Sequence, residues 1–414
     1  MNTPAYDPPW TKQKIWTCFE IVNGATPTSG VARFWDGDIA WVGPADLGKL
    51  KSPTIFCGER NLTLAGYKSC GTSLVPEKSI ILSSRAPIGH VAIAGRELCF
   101  NQGCKGLVAK PLIDEHFSYW LVKSLTKRLE AAGQGTTFVE LSRSKLKDVE
   151  FLLPPFSEQC AIAAFLDRQC IKIDEAVQIK EEQIALLRER RQILIQQAVT
   201  RGLNPNAPMK DSGIDWIGQI PAHWTMQPNK FLFSLKKTLV GKRAPDYDLL
   251  SLTLRGIIKR DIENPEGKFP AEFDTYQEVT PGDFVFCHFD VEETPRTVGL
   301  SEHAGMITGA YTVYEPIKTA NARFLMHFYL FADTDKKMRG MYKGLRNTIP
   351  KDAFAAFKTP LPPRKEQDAI VDYIDSNNQK ISSATMIKEK QISRLKEYKT
   401  SLIDAAVTGK IRVI

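Results

Sequence analysis

LPPFSEQCAIAAFLD at residues 153–167 returns as LPPRKEQDAIVDYID at 361–375, and IKEEQIALLRERRQILIQQAVT at 179–200 returns as IKEKQISRLKEYKTSLIDAAVT at 387–408. The offset is 208 throughout, and residues 152–203 laid over 360–411 share 23 identities without a gap. A long self-match decides architecture before any single motif can. The chain therefore reads as two tandem copies, each a variable head followed by a near-constant helical segment. Carried backwards, the same offset sets Met1 on Met209 and Trp16-Thr17 on Trp224-Thr225. Two different heads on matching helices describe a device for reading two things at a set distance.

Each constant segment opens on a proline pair, Pro154-Pro155 or Pro362-Pro363, which cannot sit inside a helix but commonly precedes one. Ser157 is placed to cap the first helix, and Glu158 and Glu366 put negative charge in the first turn. Helices of about 40 residues are expected, on the order of 60 Å long. A heptad register runs through both. Its a positions are Ala163, Cys170, Val177, Ile184, Arg191 and Ala198, then Val371, Asn378, Thr385, Ile392, Lys399 and Ala406. Its d positions are Leu166, Ile173, Lys180, Leu187 and Leu194, then Ile374, Ile381, Lys388, Leu395 and Leu402. This is a coiled-coil seam with polar interruptions. With a whole domain between them, the two helices can pair antiparallel inside one chain, one head at each end, related by a pseudo-twofold axis. Independent surface helices are the alternative.

The expected fold is α+β, two mixed α/β heads separated by two long antiparallel coiled-coil helices. The boundaries are 1–150 for the first head, 151–203 for the first constant segment, 204–358 for linker and second head, and 359–414 for the second constant segment. TRGLNPNAPMKDSG (200–213) is the clearest linker. In the first head GDIAWVGPADL (37–47), SIILSSRAPIGHVAIA (79–94) and LCFNQGCKGLVAK (98–110) read as strands and turns, and 116–133 as a helix. The second offers strands in 282–290 and 307–316 and a helix near 322–339. Between these landmarks the heads diverge, as loops that carry specificity do.

At 414 residues, 43% hydrophobic and 25% charged, the composition is that of a globular protein, and no run of 18 apolar residues offers a membrane span. The N-terminus lacks a basic-then-apolar leader, which makes the cytoplasm the expected compartment. Eight cysteines form no CxxC pair and the six histidines no metal-binding cluster, so no metal is expected. Asp7-Pro8-Pro9-Trp10 spells a tetrad of amino-methyltransferases but does not end a hydrophobic strand, and no S-adenosylmethionine loop follows a strand. Pro245-Asp246 with Glu266-Gly267-Lys268 fits a loose nuclease pattern, but NPEGK is a turn. No catalytic residue is assigned; the chain is expected to bind rather than react.

A net charge of +8 allows a polyanionic partner without demanding one. Sequence reading on a duplex needs Arg, Lys, Asn and Gln on loops. The first head supplies Arg85, Asn101, Gln102, Lys105, Gln134, Thr136 and Thr137. The second supplies Lys236, Lys237, Lys242, Arg243, Arg255, Lys259, Arg260, Arg296, Lys343, Arg346 and Asn347.

The doubled LPPxxEQxAI…D and IKExQI…L…AVT, with TGKI at 408–411, closely resemble the conserved regions of the specificity subunit of type I restriction–modification enzymes. DWIGQIPAHW (215–224) resembles the start of such a subunit's second target-recognition domain, and SSRAPIG (83–89) with NQG (101–103) resembles strand motifs inside those domains. The likeness spans essentially the whole chain, although DPPW stands where a DWIG-type start is expected in the first head. It implies that each head reads one half of a split site on double-stranded DNA and that the helices fix the unread gap and dock two modification subunits. The chain itself would hold no cofactor. Adenine methylation with S-adenosylmethionine would belong to the modification subunits, and ATP- and Mg-dependent translocation and cleavage to restriction subunits. The nearest rival is the recognition subunit of a related enzyme whose partner fuses methylase and nuclease. A self-contained methyltransferase and a non-DNA scaffold are further alternatives.

Overall fold

Both proline pairs start helices. In the computed structural model, which describes residues 9–133, 140–260 and 273–413, α2 spans Phe156–Arg201 and α4 spans Arg364–Val407. They are 46 and 44 residues long, exceeding the expected 40. Ser157 is not the cap. The Pro155 carbonyl accepts from the amides of Glu158 (2.9 Å) and Gln159 (3.0 Å), so the proline is the boundary residue and Ser157 falls within the first turn. Pro363 does the same for Glu366 and Gln367. At the other end of α4, Gly409 takes φ +74°, where a Cβ is disfavoured. Lys410 N–H then reaches Ala405 O (2.8 Å), a Schellman-type termination.

The chain divides into two units, Met1–Glu181 with Glu389–Ile414, and Glu182–Lys388. In the first, β1 (Thr11–Lys14) pairs antiparallel with β6 (Glu150–Leu153), Thr11 opposite Leu153. The main sheet sets β2 (Phe19–Asn23), β5 (Cys104–Ala109), β3 (Ile80–Ser83) and β4 (Val91–Ala94) side by side, with the short strand Thr54–Ile55 parallel to β4 at the edge. Helix α1 (Glu115–Ser124) covers it, capped by Asp114. The second unit repeats this plan. There β7 (Thr225–Pro228) pairs with β12 (Lys358–Leu361), Thr225 opposite Leu361. Its sheet runs β8 (Phe233–Lys236), β11 (Thr312–Pro316), β9 (Phe284–Phe286), β10 (Val298–Leu300), and α3 (Ala322–Asp333) is capped by Asn321.

Register corrects the backward alignment. Leu153 and Leu361 lie 208 residues apart, but their partners Thr11 and Thr225 lie 214 apart. Trp10 Nε1 donates to Glu158 (3.1 Å) as Trp224 Nε1 donates to Glu366 (3.1 Å). Trp10, not Trp16, is thus the counterpart of Trp224. The strand pairs with the constant segment, so pairing rather than linear offset sets the equivalence. Trp16 stands 51% exposed on the helical turn Ile15–Cys18. The tryptophan of the DPPW tetrad is accordingly a tie to the constant helix. Part of the expected linker is also ordered, since Met209–Asp211 pairs with Gln219–Pro221.

Each core is completed by both long helices. In the first unit Phe19, Leu82, Leu107, Phe117 and Trp120 pack with Ile162 and Leu166 of α2 and Leu402 and Ala406 of α4. In the second, Trp224, Phe233, Phe286, Phe328 and Phe354 pack with Ala198 and Val199 of α2 and Ile370 and Ile374 of α4. The Glu-Gln dipeptide of each constant segment ties head to helix. Buried Gln159 accepts from Asp114 N–H (2.8 Å) and donates to Leu112 O (3.1 Å) and Pro154 O (2.9 Å). Gln367 accepts from Asn321 N–H (2.7 Å) and donates to Pro362 O (2.8 Å).

The heptad seam is turned inward. Leu166, Ile173, Val177, Ile184, Ile374, Ile381 and Leu402 are buried, and Leu187, Leu194, Ile392 and Leu395 half-buried. The pairing is antiparallel within each unit. In the first, Lys399 Nζ meets the Asp174 carboxylate (2.6 Å) and Lys396 meets Glu181 (3.7 Å). In the second, Lys388 Nζ donates to Gln183 Oε1 (2.7 Å) and Arg191 to Ser382 Oγ (2.7 Å). Residues 191 and 399, like 174 and 382, are 208 apart, so one polar seam contact is made twice. Long cationic stems lie along the apolar seam while their charged ends find partners at its rim.

Candidate nucleic-acid interface

At the end of β3 the chain turns through Ser84–His90. Ser83 Oγ accepts from His90 N–H (2.9 Å) and donates to Pro87 O (2.8 Å), and Ser84 N–H reaches Gly103 O (2.8 Å). The last bond carries SSRAPIG onto NQG. Asn101 Oδ1 accepts from Gly103 N–H (2.8 Å), and Gln102 bonds Thr26. Leu141 N–H then closes on Ser84 O (2.7 Å), and the Arg85 guanidinium meets Glu140 (3.1 Å). Arg85, Asn101, Gln102 and Lys105 are therefore gathered around one turn. Their roles differ. Arg85 is half-exposed, whereas Lys105 is only 7% exposed, and burial pulls its ammonium below the ordinary lysine range. Lys105 lies within β5, buried rather than reaching outward, and feels the Glu140 charge. Gln134, Thr136 and Thr137 lie outside the described residues, as do Asp7, Pro8 and Glu266-Gly267-Lys268.

The second unit builds the same place with other residues. Ile349 N–H closes on His288 O (2.8 Å), the counterpart of Leu141 on Ser84. The segment before Ile349 is a tight hairpin, Lys343 N–H to Thr348 O (2.8 Å) and Thr348 N–H to Lys343 O (3.0 Å). Arg346 forms a two-bond pair with Asp290 and lies over the Phe289 ring, 5.3 Å from its centroid. Asn347 Nδ2 reaches Glu293 (3.3 Å). Lys343, Arg346 and Asn347 thus share one braced hairpin. Arg346 holds the Asp290 carboxyl below the usual carboxylate range, and Asp290 raises the guanidinium in return. Across the two heads an ion pair of similar loop span recurs, Arg85 with Glu140 and Asp290 with Arg346, with the polarity reversed. In the first head the cation sits on the turn; in the second it sits on the hairpin.

The other cations of the second head scatter. Half-buried Lys236 is committed to Asp283 (2.7 Å) and Thr280 (3.0 Å), and Lys259 to Asp248 (2.6 Å). Lys237 and Lys242 are exposed, and Arg243 lies over Tyr247 at 5.6 Å. Arg255 is exposed at the tip of the hairpin formed by Leu250–Thr253 and Gly256–Lys259. Arg296 reaches the neighbouring Leu254 carbonyl (3.4 Å), and half-buried Arg260 donates its backbone N–H to Leu249 O (2.8 Å). Sequence reasoning did not find Glu140, Asp290 or Phe289. Their partners lie 55 or more residues away, and only the fold makes them neighbours.

Among the described residues no group of three or more His, Cys, Asp or Glu could hold a metal ion, and no helix is long and apolar enough to cross a membrane.

Residues 9–186 match the family described as type I restriction modification DNA specificity domain. The chain is 36% identical over 180 residues to the type I restriction enzyme MjaIX specificity subunit of Methanocaldococcus jannaschii, covering 43% of this chain and 41% of that one. A putative MjaX specificity subunit from the same organism is 27% identical over 167 residues, 40% of this chain and 36% of that one. The match thus spans less than half the length of these curated relatives. Two solved structures share the fold over 98% of this chain. One, from work on complex assembly and conformational transition of the type I R-M system, has TM-score 0.70 at 14% identity, with 99% of that chain covered. The other, an HsdS subunit from Thermoanaerobacter tengcongensis, has TM-score 0.56 at 15% identity, with 98% covered.

Proposed function

We propose that this chain belongs to the type I restriction–modification specificity-subunit family and is the sequence-reading subunit of such a complex; the family match over residues 9–186 and the 36% identity to one such subunit support it. Each head reads one half of a split site on double-stranded DNA, and the paired helices set the unread gap and dock two modification subunits. The observation that carries this is a reading module built twice. One sheet, one covering helix and one Glu-Gln tie recur, while the turn-and-hairpin edge differs in residue type and in the polarity of its ion pair. A constant frame with a divergent polar edge is what two readers of different sequences require.

On this reading the chain is not itself an enzyme and works in the cytoplasm. Methyl transfer from S-adenosylmethionine to adenine belongs to the modification subunits, and ATP- and Mg-dependent work to restriction subunits. The test is to co-express this chain with the methyltransferase encoded beside it and map adenine methylation across the host genome. A split motif that appears only with this chain, one methylated adenine per half, is the expected result. No new methylation, with both proteins folded and associated, would overturn the proposal.

A further inference from the structure

Leu345 is 105% exposed, as open to water as in an extended peptide, yet it sits at the tip of a hydrogen-bonded hairpin. The turn Gly344-Leu345-Arg346-Asn347 needs left-handed backbone at Gly344 (φ +70°) and Asn347 (φ 43°), positions suited to glycine and asparagine. Two backbone bonds between Lys343 and Thr348 close its base. From outside, Asp290 N–H donates to Arg346 O (2.8 Å), Asp290 clasps the Arg346 guanidinium, and Glu293 takes Asn347 Nδ2 (3.3 Å). The apolar side chain therefore projects from a pre-set support, in a turn whose base carries exposed Lys343.

We propose that Leu345 is a wedge that enters the base stack of the half-site read by the second head, a proposal that rests on the DNA-reading function above. Exposed Lys343 in the same turn suits a phosphate, and an isobutyl group presented on a duplex can leave water by entering the stack. Proteins that kink duplexes insert apolar side chains of this kind between base steps. A protein partner would call for a contiguous apolar patch, whereas Leu345 stands between glycine and charged residues. The neighbouring hairpin repeats the pairing. Leu254-Arg255 forms its tip, Leu254 is 66% exposed, and Arg296 holds the Leu254 carbonyl from the same segment that braces Arg346. Rigid presentation matters because the ordering cost is met before binding.

The test uses the full chain assembled with its modification subunits and duplexes carrying the mapped site, with 2-aminopurine placed at successive positions of the second half other than the methylated adenine and the bases flanking it, which the modification subunit itself unstacks. The wild-type complex should give a severalfold fluorescence rise at one step. Leu345→Ala should lose that rise while still binding the duplex, and Leu345→Phe should restore it. Because Leu345 is fully exposed, neither change perturbs the core. A rise that survives Leu345→Ala would overturn the wedge. So would loss of subunit association in Leu345→Ala, which would make Leu345 a protein contact. Failure of the wild-type complex to bind any duplex would instead defeat the DNA-reading function on which the wedge depends.

Discussion

Gln159→Ala removes the tie between the first head and α2, and the cost can be worked from its three hydrogen bonds. Gln159 is 1% exposed, accepts from Asp114 N–H at 2.8 Å, and donates to Leu112 O at 3.1 Å and Pro154 O at 2.9 Å. Each such bond contributes about 0.5–1.5 kcal/mol net, and a buried partner left unsatisfied costs about 1–3 kcal/mol. Alanine should therefore cost about 3–4 kcal/mol. The counterpart Gln367 makes two of these bonds, so Gln367→Ala should cost about 2–3 kcal/mol on the same scale. Native-state hydrogen exchange reads the effect directly, because the donors are the cap amides of α1 and α3. At about 1.4 kcal/mol per factor of ten, Gln159→Ala should lower protection of the Asp114 amide by roughly 100- to 700-fold and leave Asn321 unchanged. Gln159→Glu should be no milder at neutral pH, since it sets a carboxylate oxygen against two carbonyls. A loss under about threefold, or an equal loss at both caps, would refute the idea that each Gln holds its own head.

Four further outcomes are expected. Burial, then the nearby Lys351 charge, pull His288 from 6.5 down to about 4, so the folded second unit keeps it neutral while the unfolded chain protonates near 6.5. Stability of that unit should fall as pH drops from 6.5 towards 4, by about 3 kcal/mol at most, and pH-dependent urea denaturation of His288→Phe should show a flatter profile. In the seam, Ile381→Ala should cost about 2–4 kcal/mol by urea denaturation, whereas Asp174→Ala, which breaks a solvent-exposed pair with Lys399, should cost under about 1 kcal/mol. Trp10→Phe should lower the thermal midpoint by removing the bond to Glu158, and Trp16→Phe should leave it in place; the reverse result would restore the linear alignment. Methylation mapping of Arg85→Ala and Arg346→Ala should show altered recognition in opposite halves of the site, each variant sparing the other half.

The duplication, the helices and their seam were legible in the chain because each is a periodic or local property. A heptad repeats every seven residues, a proline pair stops a helix wherever it stands, and a 208-residue self-match needs no coordinates. The seam residues from Leu166 to Leu402 turn inward because the spacing that names them also puts them on one face. What tertiary structure alone decided is everything that depends on strand register or on charges meeting across long loops. Linear offset favoured Trp16, but pairing of Thr11 with Leu153 put Trp10 against Glu158. Lys105 reads as a surface cation in sequence and is buried because a sheet strand turns it inward. Asp290 and Glu140 carry no local mark of their role, since a carboxylate becomes an arginine's brace only when folding brings the two within hydrogen-bond reach.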